Sequence, residues 1–393
     1  MPILFGVVLI DLIGFGIVIP ILPFLSPQLG ADKIDIALII VTYAAFAGLF
    51  GPFWGRLSDR RGRKPVIMIC LAGGALSYVM LGLATQLWMV FAARAFAGVM
   101  AGNFGVASAM MADVTSPENR AKGMGLIGAA FGLGMVLGPL LGGLLAGDSG
   151  SFTLPCIFAG FMSVLAIIAA AVFLPESLSA ERREANRVHQ KSGDGASTME
   201  ILEESHSRVF VFQYLLHNAC VSSSTYLFPL WVADVLDWSA REVGIVFGIQ
   251  GMIMVVVQGG AMGALVRVLG EWRFLRIAIS AFLAGLLLAV FAWNMPSMVA
   301  SMFLAMTGAT LCMPLLNTLI THRTPAKFRG RIMGTTAAAS SWGRVFGPAF
   351  TGFNLAWFGY SAAWAACAVL VTCYLVWAFW ESARSSTRSY TSA

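Results

Sequence analysis

The chain has 393 residues, of which 58% are hydrophobic and 11% are charged, and its formal net charge is +6. A soluble globular protein of this length would carry roughly a quarter charged residues, and the mean hydropathy of +0.81 also excludes that class. No basic face with interleaved aromatic residues occurs outside the apolar runs, so we expect no nucleic-acid partner. The composition predicts an all-α polytopic membrane protein.

Twelve apolar runs are long enough to cross a hydrocarbon core of about 30 Å as helices. The first run has no small-residue cleavage site after it, so we expect a retained helix and not a signal peptide. Most of the 25 lysines and arginines fall after even-numbered runs or before odd-numbered ones, which puts both termini in the cytoplasm. The predicted spans are 3–25, 36–57, 65–84, 88–111, 122–146, 154–174, 208–233, 241–265, 274–293, 298–320, 331–357 and 361–380.

One long polar segment, residues 175–207, divides the spans six and six. Its content of Glu, Arg, Ser and Gly is typical of a mobile linker and not of a folded domain. The sequence therefore predicts an N-terminal six-helix bundle over 1–174, a cytoplasmic linker over 175–207, a C-terminal six-helix bundle over 208–380 and a cytoplasmic tail over 381–393.

The two halves also share a residue pattern, which indicates duplication. Transporters use paired repeats to build two states around one central site. At a constant offset, Thr115, Arg120, Gly125 and Gly138-Pro139 recur as Thr324, Arg329, Gly334 and Gly347-Pro348.

Asp11 lies in the first span and is the one acid of nineteen that we place well inside any of the predicted spans. A carboxylate in hydrocarbon is costly, so it should exchange a proton when its surroundings change. Asp11 is therefore a candidate proton carrier; permanent neutralisation by an interhelical hydrogen bond is the structural alternative. Arg94 of span 4 could stabilise deprotonated Asp11 or bond backbone carbonyls of its own bundle. His217 of span 7 is either a second coupling residue or a packed, hydrogen-bonded one.

The most specific motif is Gly55-Arg-Leu-Ser-Asp59-Arg60-Arg61-Gly62-Arg63-Lys64, between spans 2 and 3. Gly55 suits a close helix approach and Gly62 a tight turn, although an ordinary basic loop that fixes topology is the alternative. The motif resembles the signature of the major facilitator superfamily. The resemblance implies two pseudo-symmetric six-helix bundles and a conformational lock, in which Asp59 faces the start of span 11. The lock residues so implied are Gly55, Asp59, Arg60, Gly62, Arg63, Asp113 and Arg120.

Span 5 combines a proline with several glycines at helical spacing. Glycines four residues apart let helices pack closely in lipid, and proline bends a helix. The pattern resembles the span-5 motif of drug:proton antiporters, and this resemblance implies a smooth, kinked contact surface between two halves that rock; a plain packing face is the alternative. The residues are Gly125, Gly134, Gly138, Pro139, Gly142 and Gly143.

Residues 9–23 and 94–102 resemble spans 1 and 4 of the bacterial tetracycline and multidrug exporters. The resemblance is close in the N-terminal half, whereas the C-terminal half matches mainly in hydropathy, in the repeat residues and in Gln258. Tetracycline exporters carry an acid in span 3 and a histidine in span 8, where our alignment places Ser77 and about Met254. This departure leaves the recognition of tetracycline with a metal ion open.

The resemblance also implies a substrate cavity lined by spans 1, 4, 7 and 10, with help from 2, 5, 8 and 11. Aromatic, methionine and amide side chains there would suit bulky lipophilic substrates, but each could equally face lipid or the core. Arg344 of span 11 could bind an anionic substrate or extend to the cytoplasm. The candidates are Phe15, Tyr43, Phe46, Asn103, Phe131, Gln213, Asn218, Tyr226, Gln250, Met313, Asn317, Trp342 and Arg344, besides His217.

Taken together, these features predict a proton-coupled antiporter that exports small lipophilic or cationic compounds through the cell inner membrane by alternating access. The alternative is a proton-coupled symporter or facilitator for a small metabolite. We expect a monomer whose partners are substrate, protons and membrane lipid. We expect no enzyme activity, no metal and no cofactor, since no nucleotide loop, catalytic triad or metal-ligand cluster is present and the proton gradient would drive transport. The six cysteines fall in apolar runs without CxxC spacing, which is typical of buried, unpaired cysteines.

Overall fold

The computed structural model describes residues 1–116, 119–147, 152–179, 181, 183, 208–324 and 329–390, with the side chains of 120–122, 259, 329–331 and 383–390 excepted. Within these ranges every regular element is a helix, which confirms the predicted all-α fold class. The predicted linker and tail lie only partly inside the described residues.

Tertiary contacts divide the chain into two compact units, and the first holds predicted spans 1–6 together with Trp238–Met252. This grouping differs from the predicted bundle over 1–174 by that one added segment, because glycines of the fifth span pack against it. The helices of spans 1–6 are α1 Pro2–Gln28, α2 Lys33–Arg61, α3 Arg63–Gly82, α4 Leu87–Val99, α5 Asn103–Asp113, α6 Arg120–Ala146 and α7 Thr153–Phe173.

The second unit holds the seventh span and the chain from Ile253 onward. Its last helix contains Gly359 in a non-helical conformation at φ 79°, which separates predicted spans 11 and 12. The eighth span is interrupted by a π turn, Val257–Ala261. The helices from span 7 onward are α8 Arg208–Leu236, α9 Ala240–Val256, α10 Met262–Leu269, α11 Glu271–Val290, α12 Met295–Arg323 and α13 Arg329–Tyr390.

Ten helical segments in the described ranges are long and apolar enough to cross a membrane. One of them, Ile332–Ser382, covers two predicted spans. The eighth predicted span is divided among α9, the π turn and α10, so no single helix in it reaches the required length. Every predicted span is therefore helical.

Helix starts follow local sequence rules. Asp32 and Asp35 cap α2 reciprocally, with side-chain-to-backbone bonds of 2.8 and 3.1 Å. Gly62 and Gly270, at φ +106° and +73°, precede α3 and α11, which are both 20 residues long. The equivalent start and equal length of these two helices agree with the duplication indicated by the sequence.

Each of the two units has buried apolar side chains of its own. Ile17, Ile21 and Val90 belong to a core cluster of the first unit, and Phe228 and Phe282 are fully buried in the second. Lipid is as apolar as these side chains, so close packing, not hydrophobic transfer, holds the helices together. Large apolar side chains such as those of Leu49, Phe173 and Val376 remain exposed along the helices, as a lipid-facing surface requires.

Candidate functional site

Predicted span 4 is not one continuous helix, because it breaks at residues 100–102 between α4 and α5. The indole Nε1 of Trp54 donates a hydrogen bond to the carbonyl oxygen of Val99 at 2.5 Å. A Cβ added to Gly102 would lie 2.5 Å from the Cβ of Trp54. The indole ring of α2 therefore packs directly against the break, and α5 begins at Asn103. The sequence prediction missed this break, for which Gly102 was the available signal.

The break places Asn103 next to Asp11 of α1. The Nδ2 atom of Asn103 donates a hydrogen bond to the Oδ2 atom of Asp11, which is half-buried. An amide N–H can donate equally to a carboxylate or to the carbonyl oxygen of a carboxylic acid. This interhelical bond therefore leaves the charge of Asp11 free to change.

Arg94 is buried, with 6% of its surface exposed. Its guanidinium carbon lies 4.3 Å from the ring centroid of Tyr43, whose ring contacts Phe15 at 5.5 Å. Among the described residues, no acceptor bonds Nε of Arg94. In this conformation the guanidinium group of Arg94 stacks on an aromatic ring, and among the described residues it forms no ion pair with Asp11. Its predicted role toward Asp11 or backbone carbonyls stays a prediction.

His217 lies in the interior of the second unit and is buried. Its ring centroid is 6.0 Å from that of Phe282 and 6.1 Å from that of Tyr374. Among the described residues nothing bonds its Nδ1 atom. His217 is packed, as one of the two sequence interpretations holds, but it is not hydrogen-bonded at Nδ1. Its role in coupling stays a prediction.

Arg63 contacts two other predicted lock residues, Asp59 and Asp113. Its guanidinium group pairs with Asp59 at 2.7 Å and with Asp113 at 3.0 Å. The same group donates a hydrogen bond to the Ser58 hydroxyl at 2.7 Å. Arg63 therefore ties the ends of α2 and α5 to the start of α3.

Glu176, which the sequence prediction missed, completes this cluster. Its carboxylate accepts hydrogen bonds from the backbone N–H groups of Arg63 at 2.9 Å and Lys64 at 3.2 Å. These N–H groups at the start of α3 have no partner within the helix, and the helix dipole favours an anion there. A Cβ at Gly62 would overlap the Glu176 carboxylate. The available signal was an acid directly after the sixth span, in Leu174-Pro-Glu-Ser.

Not every predicted lock residue takes the expected part. Gly55 was expected to allow a close helix approach, but a Cβ added there meets no described atom within 4 Å, so that expectation is wrong for this conformation. Arg60 is exposed at the end of α2. The side chain of Arg120 lies outside the described residues. The contact of Asp59 with the start of span 11 stays a prediction.

The glycines of α6 pack against α1, immediately after Asp11. A Cβ added to Gly134 would lie 2.5 Å from the Cβ of Leu12, and one added to Gly138 would lie 2.5 Å from the Cα of Gly16. Gly142 would likewise meet the Ile17 carbonyl oxygen at 2.5 Å. These three glycines pack against the backbone of α1 within one unit. Their part in a surface between two rocking halves stays a prediction.

Gly143 faces a different neighbour. A Cβ added there would lie 2.9 Å from the Cα of Gly244 in α9, and one added to Gly244 would lie 2.5 Å from the Pro139 carbonyl oxygen. Both helices therefore need glycine at this crossing. Gly125, in contrast, has no described atom within 4 Å of an added Cβ, so its predicted part in close packing is not seen.

In the second unit, several predicted cavity residues form one polar cluster. Nδ2 of Asn218 donates to the Ser340 hydroxyl at 3.1 Å and approaches the Met313 sulfur at 3.8 Å. The Tyr214 hydroxyl donates to the side-chain oxygen of Asn317. The cluster joins α8, α12 and α13 and includes Asn218, Met313 and Asn317; their part in a substrate cavity stays a prediction.

The remaining cavity candidates are scattered over the two units. Trp342 is exposed and stacks on Phe346 at 5.7 Å, and Arg344 is exposed and donates to the Ser341 hydroxyl at 3.2 Å. Phe131 is exposed and meets Phe104 at 5.7 Å; Phe46 pairs with Phe50 at 6.3 Å. Three candidates are buried, namely Gln213, Tyr226 and Gln250.

The sequence matches the Major Facilitator Superfamily model over residues 4–335 and 262–392. The protein belongs to the major facilitator superfamily. With ten helical segments in its described residues that are long and apolar enough to cross a membrane, this chain is a multi-pass membrane transporter of that superfamily.

Its relatives include drug-resistance proteins. The class H tetracycline resistance protein of Pasteurella multocida is 26% identical over 392 residues, covering 98% of this chain and 96% of that protein. Multidrug resistance protein 2 of Bacillus subtilis (strain 168) is 27% identical over 356 residues, covering 89% of this chain and 87% of that protein. A crystal structure of the human organic anion transporter MFSD10 (TETRAN) matches with a TM-score of 0.73 at 22% identity, covering 96% of this chain and 98% of that one.

Proposed function

We propose that this transporter is a proton-coupled antiporter, which exports small lipophilic compounds across the inner membrane by alternating access. The observation that carries the proposal is the hydrogen bond from Asn103 to Asp11, formed where the broken fourth span meets α1. A membrane carboxyl group whose partner is a neutral amide can gain and lose a proton without losing that partner.

The surroundings of Asp11 support a link between its charge and helix movement. The next turns of α1 carry Leu12, Gly16 and Ile17, which lie against the glycines of α6 at backbone distance. These contacts leave no room for side chains on the α6 glycines. We therefore expect α1 and α6 to move together. A change in the charge of Asp11 would thereby bias the position of two helices at once.

The proposed substrates follow from the side chains that remain available. Phe15 and Tyr43 in the first unit, and Met313, Asn218 and Asn317 in the second, offer aromatic, thioether and amide surfaces. Such surfaces suit lipophilic compounds and lipophilic cations. The relatives' names, tetracycline resistance and multidrug resistance, agree with this class.

Tetracycline itself remains outside the proposal. The position of the span-3 acid in tetracycline exporters is Ser77 here, and its hydroxyl donates to the Gly74 carbonyl oxygen in its own helix at 2.7 Å. We further propose that the transporter acts as a monomer without enzyme activity, with both termini in the cytoplasm. The excess of lysine and arginine on one side of the predicted spans supports this orientation.

The proposal is tested by following ethidium in cells that express the protein. We expect those cells to accumulate less ethidium than control cells, and a protonophore should abolish the difference. Exclusion that survives collapse of the proton gradient would contradict proton coupling. Accumulation above the control would favour the symporter or facilitator alternative.

A further inference from the structure

The second unit has an arginine that lies over an exposed aromatic ring near the start of α11. The guanidinium carbon of Arg276 is 4.9 Å from the ring centroid of Phe379 in α13. Phe379 and its neighbour Trp380 are exposed, with 51% and 50% of their surfaces free. Arg273 is also exposed and lies three residues before Arg276, so the two side chains share one face of α11.

These two arginines have no acidic partner in the described part of the chain. Glu271 is the only acid between residues 262 and 290, and its carboxylate lies 3.5 Å from Nδ1 of His322. A nearby arginine, Arg323, has its own partner in Glu381 at 2.5 Å. The positive charge of Arg273 and Arg276 is therefore available to a ligand.

We propose that Arg273, Arg276, Phe379 and Trp380 bind the headgroup of an anionic phospholipid. Guanidinium groups bind phosphate through paired hydrogen bonds. The Phe379 ring beneath Arg276 holds its guanidinium group in place. Basic residues between membrane helices at the cytoplasmic side, with aromatic residues at the interface, are a recurrent lipid-headgroup arrangement. The proposal is independent of what the protein transports.

A phospholipid explains more of this surface than a free phosphate ion does. Ile277 follows Arg276, and Val376 precedes Phe379 by one helical turn; both are exposed. In the proposed orientation these side chains lie deeper in the membrane than the arginines. They would continue the site along an acyl chain, which inorganic phosphate lacks.

The test measures lipid binding to the purified full-length protein in detergent, by native mass spectrometry. The probes are dioleoylphosphatidylglycerol, dioleoylphosphatidylcholine and inorganic phosphate. We expect phosphatidylglycerol to bind more tightly than phosphatidylcholine. A basic residue near an anionic surface contributes about fivefold in affinity, so Arg276→Gln should weaken phosphatidylglycerol binding about fivefold and the Arg273→Gln/Arg276→Gln variant about 25-fold.

Two further variants separate this site from general charge attraction. Arg267→Gln removes the same charge from an exposed arginine nearby, whose Nε bonds the Gly263 carbonyl oxygen of its own helix at 3.3 Å; it should change binding little. Phe379→Leu keeps an apolar side chain but removes the ring, and should weaken binding about two- to fivefold. Because Phe379 is exposed, this variant should remain folded even where an arginine variant does not.

Three results would overturn the proposal. The first is equal binding of the two lipids, and the second is a loss with Arg267→Gln as large as that with Arg276→Gln. The third is full competition by inorganic phosphate at the lipid's own concentration, which would assign the surface to a free anion.

Discussion

The side-chain amide of Asn103 donates a hydrogen bond to the carboxylate of Asp11, and this bond joins α1 to the point where span 4 is broken. Arg94, the cation of predicted span 4, is held elsewhere, over the ring of Tyr43. The carboxyl group therefore has a neutral partner, and the cation has an aromatic one. This separation means that removing the charge of Asp11 leaves no ion pair broken.

The first prediction concerns Asp11→Asn, which keeps the shape of the side chain and can still accept the bond from Asn103. We expect thermal stability to stay level or rise, because burying a neutral amide costs less than burying a carboxylate. Uphill efflux and substrate-induced proton release should both disappear. The measurement is the pH change, read by an indicator dye, when ethidium is added to purified protein in weakly buffered detergent solution.

Asp11→Glu is the matched control, since it keeps an ionisable group at the same position, and it should retain part of the proton release. A lower thermal stability of Asp11→Asn, with residual efflux that still depends on protons, would instead indicate a structural acid. A stable Asp11→Asn protein that still releases protons would place coupling elsewhere. His217 would then be the next residue to test.

The second prediction concerns Tyr43, whose ring lies under the buried guanidinium group of Arg94. Tyr43→Leu removes the ring and leaves a buried charge without its aromatic contact, whereas Tyr43→Phe keeps the ring. A desolvated cation–π contact contributes about 2 kcal/mol, so Tyr43→Leu should lower thermal stability clearly more than Tyr43→Phe. Equal loss in both variants would show that the hydroxyl group, and not the ring, is the important part.

Local patterns predicted the helices well, because apolar runs, capping residues and positive-φ glycines act within a few residues of the chain. The motif residues Asp59 and Arg63 and the nearby Asp113 were grouped from the sequence, and they form ion pairs around Arg63; their action as a conformational lock stays a prediction. The predictions that failed concern features that depend on contacts with residues of other helices. The break before Asn103 is contacted by Trp54, which lies in a different helix, and Gly102 alone does not specify that contact.

The glycine patterns also do not predict which helix a glycine packs against. The spacing of Gly134, Gly138 and Gly142 correctly indicates close helix packing. It does not identify the helix against which these glycines pack. That neighbour is α1, the helix of Asp11. Added Cβ atoms at Gly55 and Gly125, which belong to similar patterns, meet no described atom within 4 Å, so periodicity alone does not identify the glycines that pack closely.

The third prediction concerns Gly138, whose added Cβ would lie 2.5 Å from the Cα of Gly16. Two backbones meet there, so Gly138→Ala forces α1 and α6 apart, and overpacking of this kind costs about 1–3 kcal/mol. We expect lower thermal stability and reduced ethidium efflux, and Gly138→Leu should arrest efflux. Melting of the purified protein and dye efflux from cells are the two measurements.

Gly128→Ala is the control for that prediction, because Gly128 lies in the same helix and an added Cβ there meets no described atom within 4 Å. It should leave both melting temperature and efflux unchanged or slightly improved, since alanine favours a helix over glycine. If Gly138→Ala behaves like Gly128→Ala, the contact with α1 has no part in transport.

The last prediction compares the two glycines of the loop motif. Gly62 has φ +106°, and its added Cβ would overlap the Glu176 carboxylate; Gly55 is helical with open space beside it. Gly62→Ala should therefore cost about 1–3 kcal/mol in backbone strain and release the start of α3 from its acidic cap, whereas Gly55→Ala should be neutral.

Glu176 allows the two parts of that cost to be separated. Glu176→Ala removes the cap alone, which is expected to cost about 1 kcal/mol, as for other side chains that cap a helix start. If Gly62→Ala acts partly by displacing this carboxylate, the Gly62→Ala/Glu176→Ala protein should be less destabilised than the sum of the two single variants. Strict additivity in thermal unfolding would show that strain at Gly62 and capping by Glu176 are independent, and that the glycine serves the turn alone.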